Sequence, residues 1–377
     1  MRIPVVIAAL ILGTVVACGG AGAGDLDAAV DADAVAAVDA TPDADAAAPT
    51  FVPADAVDLT ADNPAEDEDP SVLVTADGLV VVTFFSRRGG NADLYVTTTR
   101  DGVTWTAARR LTSDPDDDFY PQLIQDHAGR FHLTWFRRAP APTYYAHVRH
   151  ASFDALPAAP IDGAQVTDAP GYLEDWVPTI AEAPSGRLVI VFASKLREPD
   201  LHHLFAITSD DGGATWSAPV GLADVNAVAA HDHLPFVART DDVLTLTWVR
   251  HETDPTPWLD ATSDVMLATS SDGLAWSSPR AVTADDGAGV VDVFPGLYRR
   301  HGGAWALAWV STALAPGGSV VAVAVADAAT YPSGRVELPL VGYSPRIVAT
   351  PTPGVYLGVT VAGATGAQDV YARVFTE

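Results

Sequence analysis

Asp69-Pro70-Ser71-Val72, Tyr120-Pro121-Gln122-Leu123, Val177-Pro178-Thr179-Ile180, Leu234-Pro235-Phe236-Val237, Phe294-Pro295-Gly296-Leu297 and Ser344-Pro345-Arg346-Ile347 are six copies of one short stretch. Their prolines lie 51, 57, 57, 60 and 50 residues apart. About 14 residues after each comes a second β-rich run, such as Val80 to Phe84, His132 to Trp135, Leu188 to Phe192 and Leu244 to Trp248. Third runs follow, such as Leu94 to Thr97 and Leu204 to Ile207, and fourth runs share an ending: Arg110-Leu111-Thr112, Gln165-Val166-Thr167, Ala281-Val282-Thr283. Four short strands in a unit of about 50 residues are the signature of a β-propeller blade. Six units predict an all-β, six-bladed propeller over residues 51–377.

The sixth unit holds only three strands, ending at Phe375. Ala56-Val57-Asp58-Leu59-Thr60 has the ending of the missing fourth. An N-terminal strand is therefore expected to complete the last blade, closing the ring and removing exposed sheet edges.

The first 50 residues read differently. Met1 and Arg2 precede an apolar run from Val5 to Val16, a secretory signal too short to span a bilayer. It ends in Val15-Val16-Ala17-Cys18-Gly19, which resembles a bacterial lipobox, so residues 1–18 are expected to be a lipoprotein signal with Cys18 lipidated. The position after Cys18 is Gly, which by resemblance to Gram-negative lipoproteins favours the outer membrane of the cell envelope. Residues 19–50 are nearly all Ala, Asp and Gly, a composition that buries too little to fold and suits a tether.

Composition excludes other classes. The chain of 377 residues carries 48 acidic and 21 basic side chains, a net charge of −27. Phosphate recognition needs a basic footprint, so nucleic acid is not an expected partner. The single Cys supports neither a disulfide framework nor a Cys-rich zinc site.

Between third and fourth strands stand Ser209-Asp210-Asp211-Gly212-Gly213-Ala214-Thr215-Trp216 and two shorter variants, Thr99 to Trp105 and Ser270 to Trp276. These resemble the Asp-box, or BNR, repeat of the bacterial sialidase-like propellers. The resemblance implies that the boxes are structural and lie on the face away from the active site. The chain departs from the sialidase pattern, however. Sialidases place an Arg two residues before the proline of an early first strand to clamp a carboxylate. Glu68, Phe119, Trp176, His233, Val293 and Tyr343 stand at those positions here. Without that bidentate clamp an anionic sugar loses its main attraction, and the sialidase catalytic residues are not carried over.

Candidate chemistry starts from an acid three residues before five of the six prolines: Asp67, Asp118, Asp175, Asp232 and Asp292, with Gly342 in the sixth. Such residues are expected to ring the channel mouth opposite the Asp boxes. Second strands end there in bases, among them Arg87, Arg137 and Arg250. One reading is a structural Asp–Arg network. Another is a polar ligand site whose carboxylates act as acid and base or accept sugar hydroxyls. Asp175 or Glu174 with Asp232 would be the catalytic pair. No cofactor is implied, although a ring of like charges is also the setting for Ca²⁺. His231, His233 and His251 in the fourth unit, Trp258 in the long loop after them, and Tyr120 and Trp176 add ligand-binding candidates. The expected function is a monomeric, surface-anchored, glycan-recognising propeller, touching the membrane by its lipid alone. A glycoside hydrolase and a non-enzymatic, protein-binding envelope scaffold are the alternatives.

Overall fold

The computed structural model describes residues 51–140, 145–167, 172–196, 201–251, 262–284, 289–314, 318–325, 335–364 and 367–376. Cys18, the tether and Trp258 lie outside them. Within them the protein is a β-propeller. Val225–Ala227 is a single 3₁₀ turn, and among the described residues no helix is long and apolar enough to cross a membrane.

After β1 (Val57–Asp58) the chain runs in antiparallel meanders. Strands β2 (Asp67–Val74), β3 (Val80–Ser86), β4 (Asp93–Thr99) and β5 (Arg109–Arg110) form one four-stranded sheet. Next come β6 (Asp117–Gln125), β7 (Phe131–Arg138), β8 (Ala146–Phe153) and β9 (Ala164–Gln165). They are followed by β10 (Tyr172–Glu182), β11 (Leu188–Leu196), β12 (His202–Ser209) and β13 (Val220–Gly221). These eight share one sheet, in which β10 meets β8 through a single parallel pair, Glu174 with Ala146. Two more four-stranded sheets follow. One comprises β14 (His231–Thr240), β15 (Val243–His251), β16 (Asp264–Ser270) and β17 (Arg280–Ala281), and the other β18 (Asp292–Arg299), β19 (Trp305–Ser311), β20 (Ser319–Ala324) and β21 (Val336–Glu337). The last contains β22 (Tyr343–Ala349), β23 (Val355–Ala364) and β24 (Ala367–Thr376). Strand β1 joins that sheet, with Val57 opposite Ala372 and Asp58 opposite Tyr371.

Second strands are buried on both faces because neighbouring sheets cover them. All seven residues of β3 are buried, and Trp135, Trp248, Trp309, Phe84 and Phe192 are among the largest fully buried side chains. First strands line the central channel and are tied to one another. The Leu123 amide donates to Ser71 Oγ, and the Val237 amide to Thr179 Oγ1, each at 3.1 Å.

The six prolines mark more than a repeat. The residue before each has positive φ: Asp69, Tyr120, Val177, Leu234, Phe294 and Ser344 lie between 47° and 56°. At each the pairing of the first strand with the second slips. These are β-bulges, sparsely populated by non-glycine residues and held by the surrounding sheet. Gly342 replaces the acid of the other units because its φ is 112° and a Cβ there would lie 2.1 Å from the Val361 carbonyl oxygen.

The meander fixes which ends share a face. Turns between first and second strands and between third and fourth strands fall at one end, and Arg100 pairs there with Asp77 at 2.7 Å. The turns that resemble the Asp box lie at this end. Asp101 Oδ1 accepts from the Val103 and Thr104 amides, and Asp272 Oδ1 from those of Leu274 and Ala275. First strands begin at the opposite end.

Candidate functional site

Three residues before each proline, strand alternation turns the acid into the body of its own sheet. Asp118 accepts from Trp135 Nε1 at 2.8 Å and from Arg137 at 2.7 and 3.0 Å. Asp232 accepts from Trp248 Nε1 at 2.8 Å and from Arg250 at 2.7 and 2.8 Å. Asp292 accepts from Trp309 Nε1 at 2.8 Å. Where the second strand carries Phe84 or Phe192 instead of Trp, the acid turns to a hydroxyl. Ser194 Oγ donates to Asp175 at 2.6 Å, while Ser86, Asn63 and Arg88 serve Asp67. All five carboxylates are buried. Burial raises the pKa of Asp67 to about 6 and lifts those of Asp118, Asp175 and Asp232 against the lowering effect of their donors.

Of the two readings of the acid ring, the structural Asp–Arg network describes Asp118 with Arg137 and Asp232 with Arg250. Asp67, Asp118, Asp175, Asp232 and Asp292 sit inside the sheets, one to a unit, as anchors. Asp175 and Asp232 lie in different sheets, and Glu174 stands at a register shift of β10, where its backbone pairs with Ala146 of β8. The geometry does not bring these three together. Arg137 and Arg250 are spent on Asp118 and Asp232. Among the described residues no three His, Cys, Asp or Glu side chains form a group able to hold a metal ion.

One residue further along, the side chains face the neighbouring unit and the channel. Here a cluster forms that the acid pattern did not reveal. Tyr343 donates to Glu68 across the junction between first and last units. Glu68 is 7% exposed, and its Oε1 has no hydrogen-bond partner among the described residues. Burial, and then the nearby Glu66, raises its pKa to about 8. Glu66 binds Arg87 at 2.6 Å, and Arg87 reaches Asp117 at 3.2 Å. Asp69, on the bulge, is raised well above the carboxylate range by burial and by Glu68. Tyr120, on the next bulge, stacks on Phe136 at 5.9 Å. The signal available in the sequence was the run Glu66-Asp67-Glu68-Asp69, three further acids around the one the repeat singled out.

Around the mouth toward the fourth unit the lining becomes aromatic. Trp176 packs edge-on against His202 at 5.9 Å, and its Nε1 has no hydrogen-bond partner among the described residues. The Nδ1 atoms of His202 and His231 are 3.4 Å apart. His233 and His251 stack at 4.7 Å. Burial lowers the pKa of His251 to about 4 and that of His233 well below the usual range, so both are neutral at pH 7.

No family model matches the chain, and no curated protein matches it. Solved structures do. A protein of unknown function from Dyadobacter fermentans is similar at a TM-score of 0.67 and 17% identity, over 86% of this chain and 98% of that one. An α-L-arabinofuranosidase of Fusarium graminearum, solved with an iminosugar inhibitor, is similar at 0.61 and 14%, over 86% and 98%. A Hadza microbial sialidase is similar at 0.58 and 12%, over 85% and 68%. At these identities the likeness is one of fold, and it defines the class as the β-propeller that these sialidase-like and arabinanase-like proteins share.

Proposed function

We propose that the protein is a glycan-recognising propeller whose site is the channel mouth where the first strands begin. The observation that carries this reading is Glu68: a buried carboxyl at the junction of two units, engaged by Tyr343 on one side and with Oε1 unpartnered among the described residues. A sugar hydroxyl supplies the donor that such an oxygen lacks. Tyr120 lies near it, and Trp176 adds apolar ring surface further round the mouth. The acid-rich mouth suits neutral or cationic sugars, and Glu68 stands where a sialidase clamp would have Arg. The propeller is read as six-bladed, with the eight-stranded sheet counted as two blades joined by the Glu174–Ala146 pair. Lipidation at Cys18 would hold it in the cell envelope, at the outer membrane, as a single copy on the 19–50 tether.

The second reading is a glycoside hydrolase, favoured by the same residue. A carboxyl with a pKa of about 8 keeps its proton at neutral pH and is suited to donate it to a leaving oxygen. That structural neighbours include an arabinofuranosidase and a sialidase supports sugar as the substrate class.

Both readings are tested on one panel of neutral, amino and acidic polysaccharides, assayed for retention on the immobilised protein and for reducing-end release. Retention that falls at least tenfold in Glu68→Gln and in Trp176→Ala is the expected result. Release that disappears in Glu68→Gln moves the function to hydrolysis. Retention indifferent to both substitutions refutes the site.

A further inference from the structure

The other end of the channel has its own cavity. About 490 Å³ opens between the first strands, on the side of the proline bulges where the turns between third and fourth strands lie. Its walls are apolar: Leu73, Ile124, Ala238 and Val348 come from the third position after their prolines in four units. At its inner end lie two polar side chains from the first position after the proline, Arg346 and Gln122.

Arg346 is poorly compensated. Its Nη1 donates to the Pro345 carbonyl at 2.9 Å, and its guanidinium lies 5.1 Å from the Phe236 ring centroid. Its Nε is buried and has no hydrogen-bond partner among the described residues. The groups facing it from the bulges are Asp69 and Tyr120, which act on it at longer range. Burial raises the pKa of Asp69 well above the carboxylate range while the Arg346 charge lowers it, and neither Asp69 nor Tyr120 reaches the buried Nε with a hydrogen bond. Gly296 leaves room for it, since a Cβ there would stand 3.4 Å from Nη1. The outer rim carries Arg239, Arg299 and one carboxylate, Glu182, and Arg299 also lies 3.8 Å from Asp241. A cation at the inner end of a largely apolar channel calls for an anionic head on an apolar body.

We propose that this cavity is a binding site for a short aliphatic carboxylate, its head on Arg346 and Gln122 and its chain running outward along the apolar wall. From the first to the fourth residue after the proline a strand rises about 10 Å, which suits a chain of about eight carbons. The site is separate from the glycan-recognising mouth and does not depend on it.

The test is calorimetric titration of the full chain carrying Cys18→Ser, so that no acyl group of its own competes. Octanoate should bind, octanol at least tenfold more weakly, and octylamine not measurably. Affinity should rise roughly tenfold for each two methylenes from butyrate to octanoate, as burial of a CH₂ predicts. Arg346→Met should weaken octanoate at least tenfold and leave octanol unchanged. Ala238→Trp, which fills the tube and keeps the guanidinium, should abolish both. This variant decides the matter if Arg346→Met does not fold. Octanoate binding no better than octanol, independent of chain length, or unchanged in Ala238→Trp would overturn the proposal, as would the absence of octanoate binding.

Discussion

The indole of Trp248 donates to Asp232 across 2.8 Å, and the bonds from Trp135 to Asp118 and from Trp309 to Asp292 have the same length. Each links the buried centre of a second strand to the start of a first strand. With Arg250 adding two more donors, Asp232 is the electrostatic centre of its sheet. Removing one member of a buried ion pair strands the other, at a cost of about 3–5 kcal/mol. Asp232→Ala is therefore expected to lose about that much in urea denaturation. Trp248→Phe removes one donor of three from Asp232 and should cost about 1 kcal/mol through that bond. Asp175, held at 2.6 Å by the Ser194 hydroxyl and without an Arg, should cost about 1–2 kcal/mol as Asp175→Ala. Equal losses for Asp232→Ala and Asp175→Ala would show that the arginine pairing does not carry the difference.

Two glycines in turns between third and fourth strands separate conformational strain from steric contact. Gly212 and Gly273 both have positive φ, at 70° and 81°. A Cβ on Gly212 meets nothing within 4 Å, whereas one on Gly273 would lie 2.4 Å from Val189 Cγ2 in the preceding unit. Gly212→Ala should cost about 1–2 kcal/mol, the left-handed penalty alone. Gly273→Ala adds overpacking of about 1–3 kcal/mol. Matching midpoints in urea for the two variants would mean that the packing of the turn against its neighbour is loose.

The repeat, the strand order within each unit and the closing N-terminal strand were legible because hydrophobic runs, turn residues and proline spacing are local signals. The site was legible only in part. The repeat drew attention to the five aligned acids, yet that regularity is what a shared structural anchor produces. The residues left open, Glu68 and Tyr343, occupy the same position in adjacent units but differ in type, so no repeat marks them. Their meeting is set by the bulge before each proline. A pre-proline residue is normally biased to extended backbone, and nothing in Tyr120-Pro121 or Leu234-Pro235 announces a positive φ. The burial that raises the pKa of Glu68 arises from packing between units, which no single unit encodes.

Stability should depend on pH with two opposed limbs. Glu68, raised to about 8 from an ordinary 4.5, keeps its proton in the fold while the unfolded chain releases it. Its contribution is present below pH 4.5 and lost as pH rises to 8. Asp67, raised to about 6, acts in the same direction between 3.8 and 6. His251 and His150, lowered to about 4 and about 3 by burial, act in the opposite direction. Their contribution is present above 6.5 and lost as pH falls through the folded-state values. The urea midpoint is therefore expected to peak near about pH 6 and fall on both sides. The alkaline loss should be on the order of 3 kcal/mol, discounted for the neighbouring charges of Glu66 and Arg87. Glu68→Gln should remove most of it and leave the acid limb intact. A wild-type curve flat from pH 6 to 9 would refute the raised value.

Ring closure should be the point at which the propeller opens. Strand β1 contributes only two paired residues to the last sheet, so its hold depends on what precedes it. Phe51 is 1% exposed and packs in one cluster with Leu357, Val374 and Val82, from the last unit and the first. Its amide donates to Thr352 Oγ1 at 2.9 Å, and the Ala54 amide donates to the Val374 carbonyl at 3.1 Å. Phe51→Ala should cost about 3–5 kcal/mol as a large-to-small core change. Loss of β1 would also bare the outer edge of β24, an unpaired strand able to template association. The variant should therefore show both a lower urea midpoint and concentration-dependent light scattering below that midpoint. Val52→Ala, at a side chain 60% exposed, is the matched control and should change neither. If Phe51→Ala unfolds no earlier than Val52→Ala, the closing strand is held by its ladder pairs and by the bonds of Leu59 and Thr60 to Val370 rather than by Phe51.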